Sequence, residues 1–268
     1  MPVLPFYQLD AFSERAFGGN PAAVCPLEKW LPDEQLQAIA AENNLSETAF
    51  FVPEDDDTYA LRWFTPTTEV ELCGHATLAA GYVVLYRLRK GETVARFTTR
   101  KAGPLTVTRV SGGRLELALP ARAPRPADPP EGLTEALGGA KVETCWRARD
   151  LLVVLADAEA VRALKPDMRA LAALDEYAVC VTAPGTGADG DVDFVSRFFA
   201  PKAGVDEDPV TGSAHCTLVP FWTRRLGKNP LRARQVSARS GDLEGDLQDD
   251  RVLLRGHATL VIEGHLRF

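Results

Sequence analysis

Two glycines in this sequence each stand directly before a stretch that is apolar on almost every side. Gly74 precedes the stretch that starts at His75, and Gly212 precedes the one that starts at Ser213. A helix that begins at such a glycine directs unbonded backbone N–H groups and the positive end of its dipole toward a ligand. These positions predict binding of a small carboxylic acid. Alternatively, each glycine only ends a turn and permits close helix packing.

Glu47 is the candidate acid and base. It lies between a predicted helix that stops near Asn43 and an apolar strand that starts at Ala49, so its side chain can project into a partly dry pocket. A carboxyl group there holds its proton more tightly than in water, and it can take a proton from carbon and return it near neutral pH. The alternative is a solvated glutamate in a Ser-Glu-Thr turn.

Three polar residues beside the glycines are further candidates. His75 stands at a helix N-terminus, where the dipole disfavours the imidazolium, so we expect a neutral ring that polarises the substrate. Asp208 precedes Pro209, and we expect it to orient a donor on the substrate or His75 itself; a solvated acidic loop is the alternative. Ser213 either contacts the ligand or only caps its helix.

The cysteines indicate reduced thiols. Five occur, at positions 25, 73, 145, 180 and 216, without a C-x-x-C pair, which argues against a disulfide framework. Cys73, His75, His215 and Cys216 are of types that bind zinc. However, Cys73 and His75 are too close in sequence for a common ligand pair, and His215 and Cys216 would face different sides of a helix. No metal site is predicted.

Gln235, Ser237 and Arg239 alternate along a segment with the pattern of a strand. Alternate residues of a strand share one face of the sheet. These side chains therefore either face the site or lie on an exposed face.

The elements that would position these residues are strands and two buried helices. Alternating or apolar segments predict strands over Pro2–Leu9, Ala49–Val52, Tyr59–Phe64, Arg96–Arg100, Leu105–Val110, Arg114–Leu119, Leu151–Leu155, Tyr177–Thr182, Val192–Phe199, Arg251–Arg255 and Thr259–Glu263. Surface helices are predicted over Asp33–Asn43, Thr134–Leu137, Asp157–Ala163 and Pro166–Leu174. The stretches from His75 and Ser213 lack a polar face and must be buried helices.

The two buried helices follow similar sequences, which indicates an internal duplication. Phe64-x-Pro66 starts ten residues before the first helix glycine, and Phe199-x-Pro201 starts thirteen before the second. The sequence therefore predicts an α+β protein of two similar halves, each with a mostly antiparallel or mixed strand-rich sheet around one buried helix. A doubly wound nucleotide-binding fold is disfavoured because neither G-x-G-x-x-G nor a P-loop occurs.

Proline placement suggests where the halves divide. Five prolines stand among residues 120–130, where they remove backbone donors that a helix or central strand requires. We expect a stiff linker over 120–130 between halves at 1–119 and 131–256.

Composition and charge limit the classes of binding partner and the cellular compartment that we expect. Acidic residues outnumber basic ones by 37 to 30 in a chain of 268, giving a formal net charge of −7, so no long-range field attracts a nucleic acid. The longest apolar stretch, Ala76–Tyr86, is shorter than the ~18 residues of a membrane span. The N-terminal sequence lacks the pattern of an export signal. These features predict a cytoplasmic protein that binds neither nucleic acid nor membranes.

Longer motifs run along nearly the whole chain. They start at Asp10, Gly19, Asn44, Arg62, Leu72, Arg197, Glu207 and Ala233, and read DAF, GNPAAV, NLSETAF, RWFTP, LCGHATL, RFFAP, EDPVTGSAH and ARQVS. In this order and spacing they resemble the phenazine-biosynthesis-protein (PhzF-like) family, which has the diaminopimelate-epimerase-like fold. The resemblance implies a cofactor-free isomerase, a homodimer with its active site between two similar domains, and residues 257–268 returning to the first domain as a strand.

The resemblance also assigns roles. It implies that Glu47 is the acid/base and that His75, Asp208 and Ser213 line the substrate cleft. This chain has Cys-Gly-His-Ala-Thr at residues 73–77, whereas the phenazine enzyme resembles a Gly-His-Pro form, so the substrate stays open.

We therefore predict a cofactor-independent isomerase that moves a proton between carbons of a small carboxylic acid. The predicted catalytic residues are Glu47, His75 and Asp208, and the predicted substrate-binding residues are Gly74, His75, Asp208, Gly212 and Ser213. One alternative is an amino-acid epimerase with two thiols, for which Cys73 fits one position but Thr211 occupies the other. Another is a non-catalytic carboxylate-binding or scaffold protein.

Overall fold

The computed structural model describes residues 3–54 and 57–268. Its strands, in chain order, are β1 (Val3–Ala11), β2 (Asn20–Pro26), β3 (Glu47–Pro53), β4 (Thr58–Phe64), β5 (Glu69–Val70), β6 (Val94–Thr99), β7 (Leu105–Arg109), β8 (Leu115–Pro120), β9 (Arg125–Ala127), β10 (Thr144–Arg147), β11 (Leu151–Val154), β12 (Val179–Pro184), β13 (Phe194–Ala200), β14 (Val205–Asp208), β15 (Leu231–Gln235), β16 (Gly241–Gln248), β17 (Arg251–Gly256) and β18 (Ala258–Arg267). Its α-helices are α1 (Asp33–Asn43), α2 (Gly74–Val83), α3 (Leu133–Ala136), α4 (Ala158–Arg162), α5 (Met168–Ala173) and α6 (Gly212–Leu226). Pro2, the predicted start of the first strand, lies outside the described residues.

The chain forms two compact units. The first comprises the residues up to Leu119 together with Leu254–Phe268. In it β1 pairs antiparallel with β18 and β2, β2 pairs parallel with β3, and β3 pairs antiparallel with β4. β4 then pairs antiparallel with β5 and parallel with β6, which pairs antiparallel with β7. α2 packs against β1, β2, β3 and β7, and all of its residues except Tyr82 are buried.

The second unit, Pro120–Leu253, repeats this pattern of pairs. β10 and β11 are antiparallel, β11 and β12 parallel, and β12 and β13 antiparallel. β13 pairs antiparallel with β14 and parallel with β15, which pairs antiparallel with β16. α6 is held against this sheet by Trp222, whose Nε1 donates to Thr182 Oγ1 at 3.0 Å and whose ring stacks on Phe194. The predicted α+β architecture of two similar halves is confirmed.

Matching ion pairs show the duplication in side-chain detail. Arg62 on β4 binds Glu69 on β5 through Nε and Nη2, at 2.7 and 2.8 Å. Arg197 on β13 binds Glu207 on β14 through the same two atoms, at 2.7 and 2.9 Å. Each guanidinium also lies over the phenylalanine ring two residues later, at 4.9 and 5.0 Å. These Arg–Glu pairs tie together the two strands that precede each buried helix.

Each unit contains a contact between a glycine and a valine, and the residue that the helix supplies in one unit is supplied by the strand in the other. In the first unit, a Cβ atom on Gly81 of α2 would lie 2.4 Å from Cγ1 of Val107 on β7. In the second, a Cβ atom on Gly245 of β16 would lie 2.3 Å from Cγ2 of Val219 on α6. Gly81 and Val219 occupy the same position, counted from the glycine that begins each helix. The helix can therefore approach the strand only where one of the two residues lacks a side chain.

The segment 120–130 contains a strand within the predicted linker. β9 pairs antiparallel with β10 in the second unit, and β18, which covers most of the predicted returning segment, pairs with β1 in the first. The domain boundaries themselves stay a prediction. Among the described residues, no helix combines the length and apolar character needed to cross a bilayer.

Candidate active site

Glu47 is the first residue of β3, and two asparagines make the turn that leads to it. α1 ends at Asn43, and Asn44 adopts a left-handed conformation (φ 47°) while its N–H donates to Ala40 O at 3.2 Å. Asparagine tolerates this conformation. Glu47 then pairs with Ala22 of β2 in parallel register. Its side chain is only 17% exposed, so it is not the solvated glutamate of the alternative interpretation.

Glu47, Cys73 and His75 form a compact cluster in the first unit. His75 Nε2 lies 3.0 Å from Glu47 Oε2, and His75 Nδ1 lies 3.5 Å from Cys73 Sγ. The contact between His75 and Glu47 is an ion pair without the alignment of a hydrogen bond, and Oε2 accepts no hydrogen bond from the described residues. A buried carboxylate oxygen in this state can accept a proton or a donor from a ligand.

The neighbours of His75 determine its charge. Burial on its own lowers the pKa of His75, but the groups beside the ring, the Glu47 carboxylate among them, raise it well above its usual value. The helix dipole contributes about 0.3–1 kcal/mol, whereas an opposite charge at 4 Å contributes about 4 kcal/mol at an effective dielectric constant of ~20. This direction favours the imidazolium over the predicted neutral ring. The imidazolium can stabilise negative charge on Glu47 or on a bound anion.

Asn20 belongs to this cluster, although no role was predicted for it. It is fully buried at the start of β2, and its Nδ2 lies 3.1 Å from His75 Nδ1. An amide can turn its nitrogen or its oxygen toward the ring, so it fits either protonation state. Buried Asp10 holds the preceding loop by accepting the N–H of Phe17 at 2.6 Å. The GNPAAV motif contained this asparagine, but its contact with His75 depends on the fold.

In the second unit, Asp208, Gly212 and Ser213 lie around the start of α6. Asp208 ends β14, and the N-cap residue Thr211 donates its hydroxyl to Asp208 Oδ2. Ser213 lies inside the first turn and accepts a hydrogen bond from Arg149 Nη2 at 3.3 Å. Capping is therefore not the role of Ser213. In the second unit Asp208, Gly212 and Ser213 thus lie at the start of the buried helix α6, as Gly74 and His75 lie at the start of α2 in the first unit.

Gln235 fixes the loop before α6. The N–H of Thr211 donates to Gln235 Oε1 at 2.8 Å, and Gln235 Nε2 donates to the carbonyl oxygen of Asp208 at 2.6 Å. Ser237 donates to the carbonyl oxygen of Pro209 at 2.8 Å. Gln235 and Ser237 are buried, so the exposed-face interpretation is wrong for both.

The cluster in the first unit also has the chemistry of a metal site. Ligand atoms of Glu47, Cys73 and His75 all lie within 4.8 Å of one another, and carboxylate, thiolate and imidazole are zinc ligands. A cation there would compete with the ion pair of Glu47 and His75 because it would use the same atoms. His215 and Cys216 are engaged elsewhere, since Nδ1 of His215 and Sγ of Cys216 donate to carbonyl oxygens of α6 and its cap.

Protonation of His215 is predicted to lower the free energy of unfolding at acidic pH. Nδ1 donates to the carbonyl oxygen of Thr211 at 2.8 Å, and burial lowers the pKa of His215 from 6.5 to about 4. Because the folded value lies below the unfolded one, the stabilisation is complete above pH 6.5 and is lost as the pH falls toward 4. The expected slope is about 1.4 kcal/mol per pH unit. Urea unfolding between pH 7 and 4.5 should show a shallower dependence in His215→Gln. Exposed His265→Gln is the control, and an unchanged slope in His215→Gln would contradict the assignment.

Comparison with known proteins places the whole chain among relatives. Residues 9–264 match the family model described as phenazine biosynthesis-like protein. The chain is 51% identical to an uncharacterised isomerase of Pseudomonas aeruginosa, with 98% of each chain covered. It is 46% identical to a PhzF-family phenazine biosynthesis protein of Enterococcus faecalis, whose crystal structure it matches with a TM-score of 0.94 over 100% of both chains.

A more distant likeness concerns the fold alone. A hydroxyproline epimerase from Agrobacterium vitis matches with a TM-score of 0.60 at 11% identity, covering 98% of this chain and 92% of that one. The predicted epimerase-like fold is confirmed.

Proposed function

Because this chain is an isomerase of the phenazine biosynthesis-like protein family, we propose that it moves a proton between two carbon atoms of a small carboxylic acid. The family and the isomerase class predicted from the sequence are confirmed. The proposal is carried by the ion pair at 3.0 Å between His75 and Glu47, whose Oε2 has no hydrogen-bond donor among the described residues. One carboxylate beside one buried cation is suited to accepting and returning a proton.

The proposed reaction uses a single base. Glu47 takes a proton from one carbon, the electron pair of the broken C–H bond shifts into the conjugated substrate, and the protonated carboxyl group returns the proton to another carbon. His75 stabilises the negative charge that develops during the transfer. The backbone N–H groups at Gly74 bind the acid group of the substrate.

In the second unit we propose matching binding roles. Gly212 and Ser213 bind an acid group at the start of α6, and Asp208 orients a donor of the ligand. The hydrogen bonds of Thr211 and Gln235 to Asp208 support this assignment because they hold its carboxylate and backbone in place.

Solvent exchange tests the proposal. The wild-type protein is incubated with a panel of small carboxylic acids in heavy water, and deuterium entering carbon positions is followed by NMR. We expect at least one acid to gain deuterium at carbon. Binding of acids without any exchange would contradict the proposal and favour the non-catalytic alternative.

Cys73 is predicted to be dispensable for exchange. Burial raises the pKa of Cys73 to about 11, and Glu47 adds to this, so the thiol is protonated near neutral pH. The N-cap of α6 is Thr211 where that of α2 is Cys73, so a second thiol is absent from the matching position. Cys73→Ala should keep the exchange rate within about tenfold of wild type, whereas losing a base costs about 10²–10⁴-fold. Buried Cys216→Ala is the control, and a loss confined to Cys73→Ala would favour the two-thiol epimerase.

The homodimer, the independence from cofactors and the cytoplasmic location stay predictions of the sequence. Light scattering during size-exclusion chromatography tests the homodimer, for which we expect twice the mass of the 29.1 kDa chain.

A further inference from the structure

The first unit brings a carboxylate, a thiol and an imidazole together at the start of α2. Glu47 is the first residue of β3, Cys73 is the N-cap residue of α2, and His75 is the second residue of that helix. Thr77 fixes the cap, because its hydroxyl and its N–H both donate to the carbonyl oxygen of Cys73, at 2.5 and 3.1 Å. The three side chains are therefore carried by regular elements, which hold ligand atoms in place more precisely than loops do.

The distances between these groups suit a tetrahedral metal ion. His75 Nε2 lies 3.0 Å from Glu47 Oε2 and 3.9 Å from Cys73 Sγ, and ligand atoms of the three residues all lie within 4.8 Å of one another. Ligand atoms around tetrahedral zinc lie about 3.3–3.6 Å apart, since the bonds are about 2.0–2.2 Å to nitrogen or oxygen and about 2.3 Å to sulfur. Small side-chain rotations would bring all three groups into contact with one ion.

The carboxylate of this cluster has an oxygen that can still take a ligand. Glu47 Oε2 is buried, and within residues 3–54 and 57–268 no donor forms a hydrogen bond to it. With the Cys73 thiolate and a neutral imidazole as the other two ligands, a divalent cation gives a complex without net charge, which reduces the cost of holding it inside the protein. The thiol proton passes to solvent on binding.

Asn20 is suited to support the imidazole of such a site from outside. A histidine that binds a metal through one ring nitrogen donates the proton on its other nitrogen to a fixed acceptor. Asn20 is fully buried at the start of β2, and its Nδ2 lies 3.1 Å from His75 Nδ1. When the amide turns over, its oxygen takes this place and accepts the proton on Nδ1, which leaves Nε2 for the ion.

We propose that Glu47, Cys73 and His75 bind Zn²⁺ and that the bound ion inhibits the enzyme. Thiolate and imidazole ligands favour zinc, whereas Mg²⁺ and Ca²⁺ take oxygen ligands. The inhibition rests on the proposed function, in which the Glu47 carboxylate takes the proton from carbon. An ion bound to Oε2 occupies the electron pair that this step requires.

Cobalt and zinc titrations of the metal-free full chain test the site. Co²⁺ can replace Zn²⁺ in a tetrahedral site, and a bond between Co²⁺ and a thiolate gives a charge-transfer band in the near ultraviolet. We expect this band to saturate at one equivalent of Co²⁺ and to disappear when Zn²⁺ is added. Cys73→Ser should lose the band, whereas Cys216→Ser, at a buried thiol of the second unit, should keep it.

The affinity for Zn²⁺ keeps the test decisive if Cys73→Ser fails to fold. Glu47→Gln should retain the cobalt band but bind Zn²⁺ at least about tenfold more weakly, because even changes outside the ligand set cost about 10–100-fold. Competition with a chromophoric chelator measures this affinity. A wild-type protein without the band, or a band of equal strength in Cys73→Ser, would overturn the site.

Solvent exchange separates the zinc site from the proposed reaction. One equivalent of Zn²⁺ should abolish the entry of deuterium into substrate carbon until a chelator removes the ion. Exchange that continues at the metal-free rate with Zn²⁺ bound would overturn the inhibition. Zn²⁺ binding by a protein that exchanges deuterium into none of the acids would instead overturn the proposed isomerase reaction and leave the zinc site standing.

Discussion

Replacing Glu47 with glutamine is expected to lower the rate of deuterium transfer from solvent to substrate carbon by about 10³-fold. Glutamine keeps the size of the side chain but cannot take up a proton, and a positioned acid/base group contributes about 10²–10⁴-fold. The initial rate of incorporation, measured by NMR at saturating acid, reports this loss. The effect should fall on kcat much more than on KM, because glutamine preserves the shape of the site.

Glu42→Gln is the matched control for this variant. Glu42 is exposed on α1, five residues before Glu47, and its loss should leave exchange unchanged. A second readout follows from the ion pair: without the Glu47 carboxylate, the ring of His75 should titrate at lower pH, since that carboxylate helps to raise its pKa. Exchange within tenfold of wild type in Glu47→Gln would show that another group is the base.

Gly81→Val is expected to lower the free energy of unfolding by about 2–3 kcal/mol. The first added carbon would lie 2.4–2.7 Å from three side-chain atoms of Val107, and overpacking a dense core costs about 1–3 kcal/mol or more. The gain in helix propensity is less than about 1 kcal/mol. Urea unfolding followed by circular dichroism measures the loss.

A second substitution should restore much of this stability. Gly81→Val combined with Val107→Gly recreates the arrangement of Val219 and Gly245 in the other unit. We expect the double variant to lose less free energy of unfolding than the two single variants lose together, by at least about 1 kcal/mol. Gly264→Val is the control, because a Cβ there meets nothing within 4 Å. If the losses of the two single variants simply add in the double variant, the contact between residues 81 and 107 does not govern this packing.

Local sequence predicted the elements whose pattern does not depend on partners. α1 was predicted with its observed bounds, and α2 and α6 were recognised because a helix without a polar face must be buried. β2 was missed because prolines stand at its second and last positions, and β5 has only two residues. Such strands exist because a neighbouring strand supplies their hydrogen bonds, which composition alone does not reveal.

The site was predictable as a set of residues but not as an electrostatic environment. The motifs indicated Glu47 and His75, yet the charge of His75 depends on its contact with Glu47, which the fold brings to 3.0 Å from the ring.

The two Arg–Glu pairs have a consequence for ligand binding. Arg62 with Glu69 and Arg197 with Glu207 fasten the strands that lead into each buried helix, so the donors at each helix start are arranged before a ligand arrives. An incoming acid then does not have to order a loop, and the entropy lost on association is mainly that of the acid itself. If an acid binds at these helix starts as proposed, we expect little change in the backbone there on binding.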